Sequence, residues 1–211
     1  MIHKFKNLRK FTFLAIITQI IFITSCNSDG PIMEQPEQIY YDLAQRRMNA
    51  NNYFSAIEAL QAIETNYPFG RYAEQAQSEL IYAYYMNGED EASHEAAEKF
   101  IRLNPRHPNI DYAYFMRGIS SYTRDKGIFA RVFKRDLSDR DISGAKQAFG
   151  ELSEFLTRFP QSQYAPYASQ RLIYLRASIA KNELVAAEYY LRRKAYVAAL
   201  RRAKYVIENI P

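Results

Sequence analysis

Apolar and small side chains recur along this chain at the spacing of helices that bury one face. The clearest stretch is Ala145, Ala148, Phe149, Leu152, Phe155, Leu156 and Phe159, which follows the i, i+3, i+4, i+7 pattern. Four such stretches close on a proline, at Tyr67-Pro68, Asn104-Pro105, Phe159-Pro160 and Ile210-Pro211. A residue that precedes proline is pushed out of the α region, so each stretch should end there. Twelve positions before each proline stands a small residue: Ala56, Ser93, Ala148 and Ala199. Twelve before Ala56 and Ala199 come Ala44 and Ala187, again small. Small side chains belong where two helices approach closely, and Tyr40 and Tyr114, four before Ala44 and Gly118, would fill the gap between successive hairpins.

This order of bulky, small and proline positions resembles the tetratricopeptide repeat, a helix–turn–helix of about 34 residues. The resemblance implies an all-α, right-handed solenoid, because a single hairpin cannot bury its own apolar face and must stack on its neighbours. The pattern predicts helices over 37–50 and 52–66, 72–87 and 89–103, then 111–124 and 141–159. After these come 164–181, 183–193 and 195–209, the last two phased as a repeat of their own. The connection from Asp125 to Arg140 interrupts the third repeat, and it is longer than the usual 2–8 residues between bundle helices. It mixes Ile128, Phe129, Val132 and Phe133 with Lys126, Arg131, Lys134 and Arg135, which suits either a tucked surface loop or a partner-binding insertion. No polar capping helix follows Pro211, although solenoids normally carry one, so a longer natural protein is expected.

The N-terminus has a different pattern. Lys4, Lys6, Arg9 and Lys10 precede an apolar run from Phe11 to Ile23, too short for the ~20 residues of a spanning helix. A basic segment followed by a short apolar one is the build of a secretory signal. Its end, Ile23-Thr24-Ser25-Cys26, resembles a bacterial lipoprotein signal, with residues 1–25 removed and Cys26 lipidated as the new N-terminus. Cys26 is the only cysteine, which rules out an intrachain disulfide. One acyl chain anchors weakly, at about 0.8 kcal/mol per buried methylene, whereas the two or three of a bacterial lipoprotein would hold. Asn27, where an aspartate would resemble an inner-membrane retention signal, favours outer-membrane lipid. Residues 26–36 read as a flexible tether and 37–211 as the repeat array.

Charge and catalytic chemistry narrow the function. Of the 28 basic residues four lie in the signal, leaving 24 against 23 acidic ones, a net +1 that makes nucleic acid a poor partner. An enzyme is not favoured, and no cofactor or metal is expected. His94 falls among Glu91, Glu95 and Glu98, which reads as a solvated face, and His107 lies in a turn where capping or packing is usual. Asp136, Asp139 and Asp141 lack the spacing, central glycine and closing glutamate of a calcium loop. Seven glycines in all form no phosphate loop.

Longer segments carry a more specific likeness. Asn66-Tyr67-Pro68-Phe69-Gly70, Leu80-Ile81-Tyr82-Ala83-Tyr84-Tyr85, Phe100-Ile101-Arg102-Leu103-Asn104-Pro105, His107-Pro108-Asn109-Ile110-Asp111-Tyr112, Ser138-Asp139-Arg140-Asp141 and Ala187-Glu188-Tyr189-Tyr190 resemble the BamD family of outer-membrane assembly lipoproteins. The likeness runs from the signal to the last residue, short of the family's final hairpin. It implies a periplasmic, lipid-anchored scaffold that is not an enzyme. Such a scaffold docks on the periplasmic repeats of a barrel-forming, BamA-like subunit, holds accessory lipoproteins, and binds the C-terminal segments of unfolded outer-membrane proteins. Within it, Tyr67 matches a substrate-recognition tyrosine and Arg202 an arginine tied to the barrel subunit. Phe129, Arg131 and Phe133 of the insertion are further docking candidates. By themselves Tyr67 and Arg202 would also suit an interhelix packing ring and a solvated basic face. A lipoprotein serving peptidoglycan or cell division is the other reading.

Overall fold

The repeat written in the sequence is visible in the backbone. In the computed structural model, which describes residues 36–124 and 142–210, the residues before the four prolines adopt one conformation. Their (φ, ψ) angles are (−131°, 55°) at Tyr67, (−123°, 53°) at Asn104, (−130°, 57°) at Phe159 and (−129°, 57°) at Ile210. Each donates its N–H four residues back at 2.8–3.0 Å, closing its helix as the following proline requires. Three of these ends continue into the same turn, with Gly70 N–H donating to Tyr67 O, His107 to Asn104 O and Ser162 to Phe159 O.

Eight helices make up the described residues, with no strand among them: α1 Glu37–Asn49, α2 Tyr53–Asn66, α3 Ala73–Asn87, α4 Asp90–Leu103, α5 Ile110–Arg124, α6 Ser143–Arg158, α7 Ala165–Arg192 and α8 Tyr196–Asn209. They pack in chain order, each chiefly on the one before and the one after, with α3 also touching α5. The small residues at the crossings, Ala56, Ser93, Ala148 and Ala199, are all buried. Gly118 serves the closest approach, since a Cβ there would lie 2.6 Å from Leu152 Cδ2 of α6.

The turns within hairpins repeat too. Asn51, Gly88 and Lys194 all take the left-handed conformation, at φ 55°, 82° and 58°. The next residue in each case, Asn52, Glu89 or Ala195, donates its N–H five residues back at 2.9 Å, the bond that closes a left-handed helix end.

Two apolar cores lie along the array. One gathers Ala44, Leu60, Ile63 and Leu80 of the first helices, and the larger one runs from Ile81 and Phe100 through Phe155 to Ile210.

One expected boundary is absent. The sequence predicts separate helices over 164–181 and 183–193, but α7 is a single helix of 28 residues. Nothing near Asn182 breaks a helix: no proline or glycine is present, and the buried stripe Leu175, Ile179, Glu183, Ala187 continues at i+4 across the expected break. The phasing of the last repeat still holds, because the Lys194 turn matches those at Asn51 and Gly88. Ala187 marks a close packing position inside a long helix, not the opening of a new one.

Candidate functional site

At the N-terminal end, helices α1, α2, α3 and α5 bring polar and aromatic groups to one groove of about 360 Å³, lined by Gln45, Tyr53, Glu79, Tyr82 and Tyr112. Glu79 is its hub. The carboxylate accepts from Tyr41 Oη at 2.9 Å, Gln45 Nε2 at 2.6 Å and Gln75 Nε2 at 2.8 Å. Burial, and then donation to Glu79, push the Tyr41 hydroxyl up to about 12, so it stays a donor. Burial likewise raises Tyr112. The Tyr53 and Tyr82 rings meet edge to face at 6.0 Å, and Tyr82 is 40 % exposed.

Tyr67 does not line that groove. It caps α2 and is half-buried against Tyr40, the ring centres 6.5 Å apart. The chain then turns through Phe69, which is fully exposed. Glu37 fixes this turn, accepting from the backbone N–H groups of Arg71 at 3.0 Å and Tyr72 at 2.6 Å and so capping the start of α3. Tyr67 and Phe69 therefore form an aromatic step on a rigid corner.

Arg202 lies at the other end of the array. It is not simply one charge on a solvated face. Its Nη1 is 3.1 Å from Oε2 of Glu183, and Lys146 Nζ is 2.6 Å from Oε1 of the same carboxylate. Glu183 is buried, while both cations are partly exposed. Burial alone would raise the carboxyl, but the Lys146 and Arg202 hydrogen bonds outweigh it and hold Glu183 below the usual carboxylate range. Lys146 also sits 4.3 Å over the Tyr205 ring. These groups border an open cavity of about 900 Å³ together with Tyr190, Lys194 and Arg201. Four cations against one carboxylate give it a positive lining suited to an acidic surface.

Sequence reasoning did not single out Glu183 or Lys146. The signal was present, because Glu183 stands on the Leu175–Ile179–Ala187 stripe where an apolar residue is expected. His94 requires a correction as well. It is not on a solvated face: it is buried, with Nε2 2.8 Å from Glu151 Oε1 of α6. His107 does cap and pack, accepting from Asn109 N–H at 3.1 Å and meeting Phe100 edge to face at 5.1 Å. Cys26, Phe129, Arg131 and Phe133, with the acidic run Asp136, Asp139 and Asp141, lie outside the described residues.

The chain matches the family described as outer membrane lipoprotein, YfiO, over residues 33–211. It is 34 % identical over 204 residues to the outer membrane protein assembly factor BamD of Vibrio cholerae, covering 96 % of this chain and 84 % of that one. With BamD of Neisseria gonorrhoeae it shares 37 % identity over 171 residues, 81 % of this chain and 64 % of the relative. BamD of Xylella fastidiosa is 35 % identical over 199 residues, 93 % of this chain and 68 % of its own length. Among the described residues no helix is long and apolar enough to cross a membrane.

Proposed function

The chain belongs to the YfiO outer membrane lipoprotein family, and from that membership we propose that it is an outer membrane protein assembly factor acting as a scaffold without catalysis. The observation that carries this reading is the family match across the whole helical array. In this reading the lipid on Cys26 anchors the array to the outer membrane at its periplasmic face. The N-terminal repeats receive the C-terminal segment of an unfolded barrel protein. An extended peptide gains from backbone bonding together with pockets for alternate side chains. The exposed Phe69 beside Tyr67 offers a stacking surface, and the groove around Tyr82 and Glu79 offers polar partners.

The positive cavity around Arg202 is the proposed docking site for the barrel-forming subunit's periplasmic domains. An arginine already held by Glu183 is pre-organised, so less side-chain freedom is lost when a partner carboxylate joins it. Phe129, Arg131 and Phe133 are proposed to extend that contact, and accessory lipoproteins to complete the assembly.

The test has two arms. Affinity for a barrel protein's C-terminal peptide should fall in a folded Tyr67→Ala variant, and the intact lipoprotein should co-purify with a β-barrel protein bearing periplasmic repeats. Unchanged peptide affinity sinks the role of Tyr67. Co-purification with peptidoglycan or cell-division proteins alone would replace the assembly reading.

A further inference from the structure

The groove around Glu79 differs from the rest of the array in how its charge and its rings are met. Elsewhere the chain supplies its own cations. Lys99 meets Glu64 at 2.7 Å, Arg117 meets Glu154 at 2.6 Å, and Lys146 and Arg202 share Glu183. Tyrosine rings are served in the same way. The Arg171 guanidinium stands 5.1 Å over Tyr122 and 4.8 Å over Tyr167, and donates to the Tyr167 hydroxyl at 2.5 Å. Lys146 lies over Tyr205, and Arg193 over Tyr189.

The Glu79 groove has no such partner. None of the residues lining it is a lysine, arginine or histidine. Arg46 and Arg47 of α1 are exposed and form no part of its wall. Glu79 joins α1 to α3 through neutral donors alone, Tyr41 and Gln75 on Oε1 and Gln45 on Oε2. A carboxylate has about four acceptor positions, so one on Oε2 is unused and the charge meets no cation. Among the described residues no cation stands over the rings of Tyr53, Tyr82 or Tyr112. Burial raises the Tyr82 and Tyr112 hydroxyls, so both stay neutral and Glu79 is the one acidic group of the lining.

Resting on the reading that the N-terminal repeats receive an extended peptide, we propose that this groove selects a lysine or arginine side chain within that peptide. The cation is held by Glu79 and by the tyrosine rings. An ammonium or guanidinium is attracted to a tyrosine face within about 6 Å, more strongly where water is excluded. Its N–H groups fit the open position on Oε2 as a charge-assisted hydrogen bond. Arg171 between Tyr122 and Tyr167 is the intramolecular version of the ring contact. A peptide carboxylate, by contrast, would face Glu79 with no cation beside it, a like-charge contact. The groove therefore reads a side chain inside the segment, and the segment's own C-terminal carboxylate lies outside it.

The experiment measures binding of fluorescent C-terminal peptides of a barrel protein to the full chain. Each peptide carries one arginine or, at the same position, citrulline, which keeps the shape of arginine without its charge. At one internal position arginine should bind about tenfold tighter than citrulline. Glu79→Gln should abolish that preference. Tyr82→Leu, at a 40 % exposed position, should fold as the parent does and reduce it, whereas Tyr189→Leu should leave it unchanged. In NMR spectra N-acetylarginine amide should shift the Tyr82 ring signals, and N-acetylcitrulline amide should not. Peptides that bind equally with arginine and citrulline at every position overturn the cation site but leave peptide capture intact. A preference that survives both Glu79→Gln and Tyr82→Leu overturns it as well. If no peptide binds while N-acetylarginine amide alone still shifts Tyr82, the cation site stands and the peptide reading falls. Binding of neither ends both.

Discussion

Arg202 Nη1 meets Glu183 Oε2 at 3.1 Å, so a side chain that reads as a free surface charge is paired with a buried carboxylate. With Lys146 on the other oxygen, one carboxylate joins α6, α7 and α8. The two cations keep that carboxylate ionised inside the array, and its place in an apolar stripe makes it dependent on them.

Acid should therefore loosen this end of the chain. Glu183 titrates below its ordinary value, so its contribution is complete above the unfolded carboxyl's ~4.3 and is lost as pH falls through the lower folded value. Glu183→Gln should cost about 1–3 kcal/mol at pH 7, the scale of a lost charge-assisted hydrogen bond. In urea unfolding from pH 7 down to pH 3, parent and variant should converge at the acid end. A gap that stays constant over that range would show that the charge on Glu183 contributes nothing.

Arg202 has two possible roles, and the Glu183 pair separates them. If the guanidinium only stabilises the fold, Arg202→Ala and Glu183→Gln should weaken docking in proportion to their losses of stability. If it also touches the barrel subunit, as proposed, Arg202→Ala should weaken docking more than Glu183→Gln does in variants of equal stability. Binding to the subunit's isolated periplasmic domains, measured beside urea midpoints, decides between them.

A side chain at Gly118 should destabilise the array. An alanine Cβ would stand 2.6 Å from Leu152 Cδ2 and 3.3 Å from the Leu152 backbone nitrogen, and only the former can move aside. Overpacking of this kind costs about 1–3 kcal/mol. The double variant Gly118→Ala/Leu152→Ala should show a non-additive recovery in unfolding experiments, since the two positions share one contact.

What was legible in the sequence is the part governed by local rules. Proline fixes where helices stop, and small residues fix where they cross; both were readable at Ala56, Ser93, Ala148 and Ala199. The groups that the sequence places wrongly, His94, or leaves unmarked, Glu183, are titratable residues inside helices. His94 sits among glutamates and Glu183 on an apolar stripe, and only the facing helix supplies the partner that each meets. Tyr67 and Arg202 were visible through family likeness, but the structure keeps them at opposite ends, one on Tyr40 and one on Glu183. The tyrosine-lined groove escaped because its residues come from four helices, spread from Gln45 to Tyr112.

The continuity of α7 gives the last prediction. A connection between two helices at Asn182 would accept proline, whereas a helix interior loses a hydrogen bond and meets the pyrrolidine ring, at about 3 kcal/mol or more. Asn182 lies one residue before Glu183, so a kink there would also swing the carboxylate away from Lys146. Asn182→Pro should consequently lower stability by more than Glu183→Gln does. It should also detach α8, leaving the hairpins before α7 folded. Amide exchange read segment by segment tests this: α8 should lose protection while α2 to α4 keep theirs. Equal protection throughout would mean that α8 is held by contacts other than the unbroken helix.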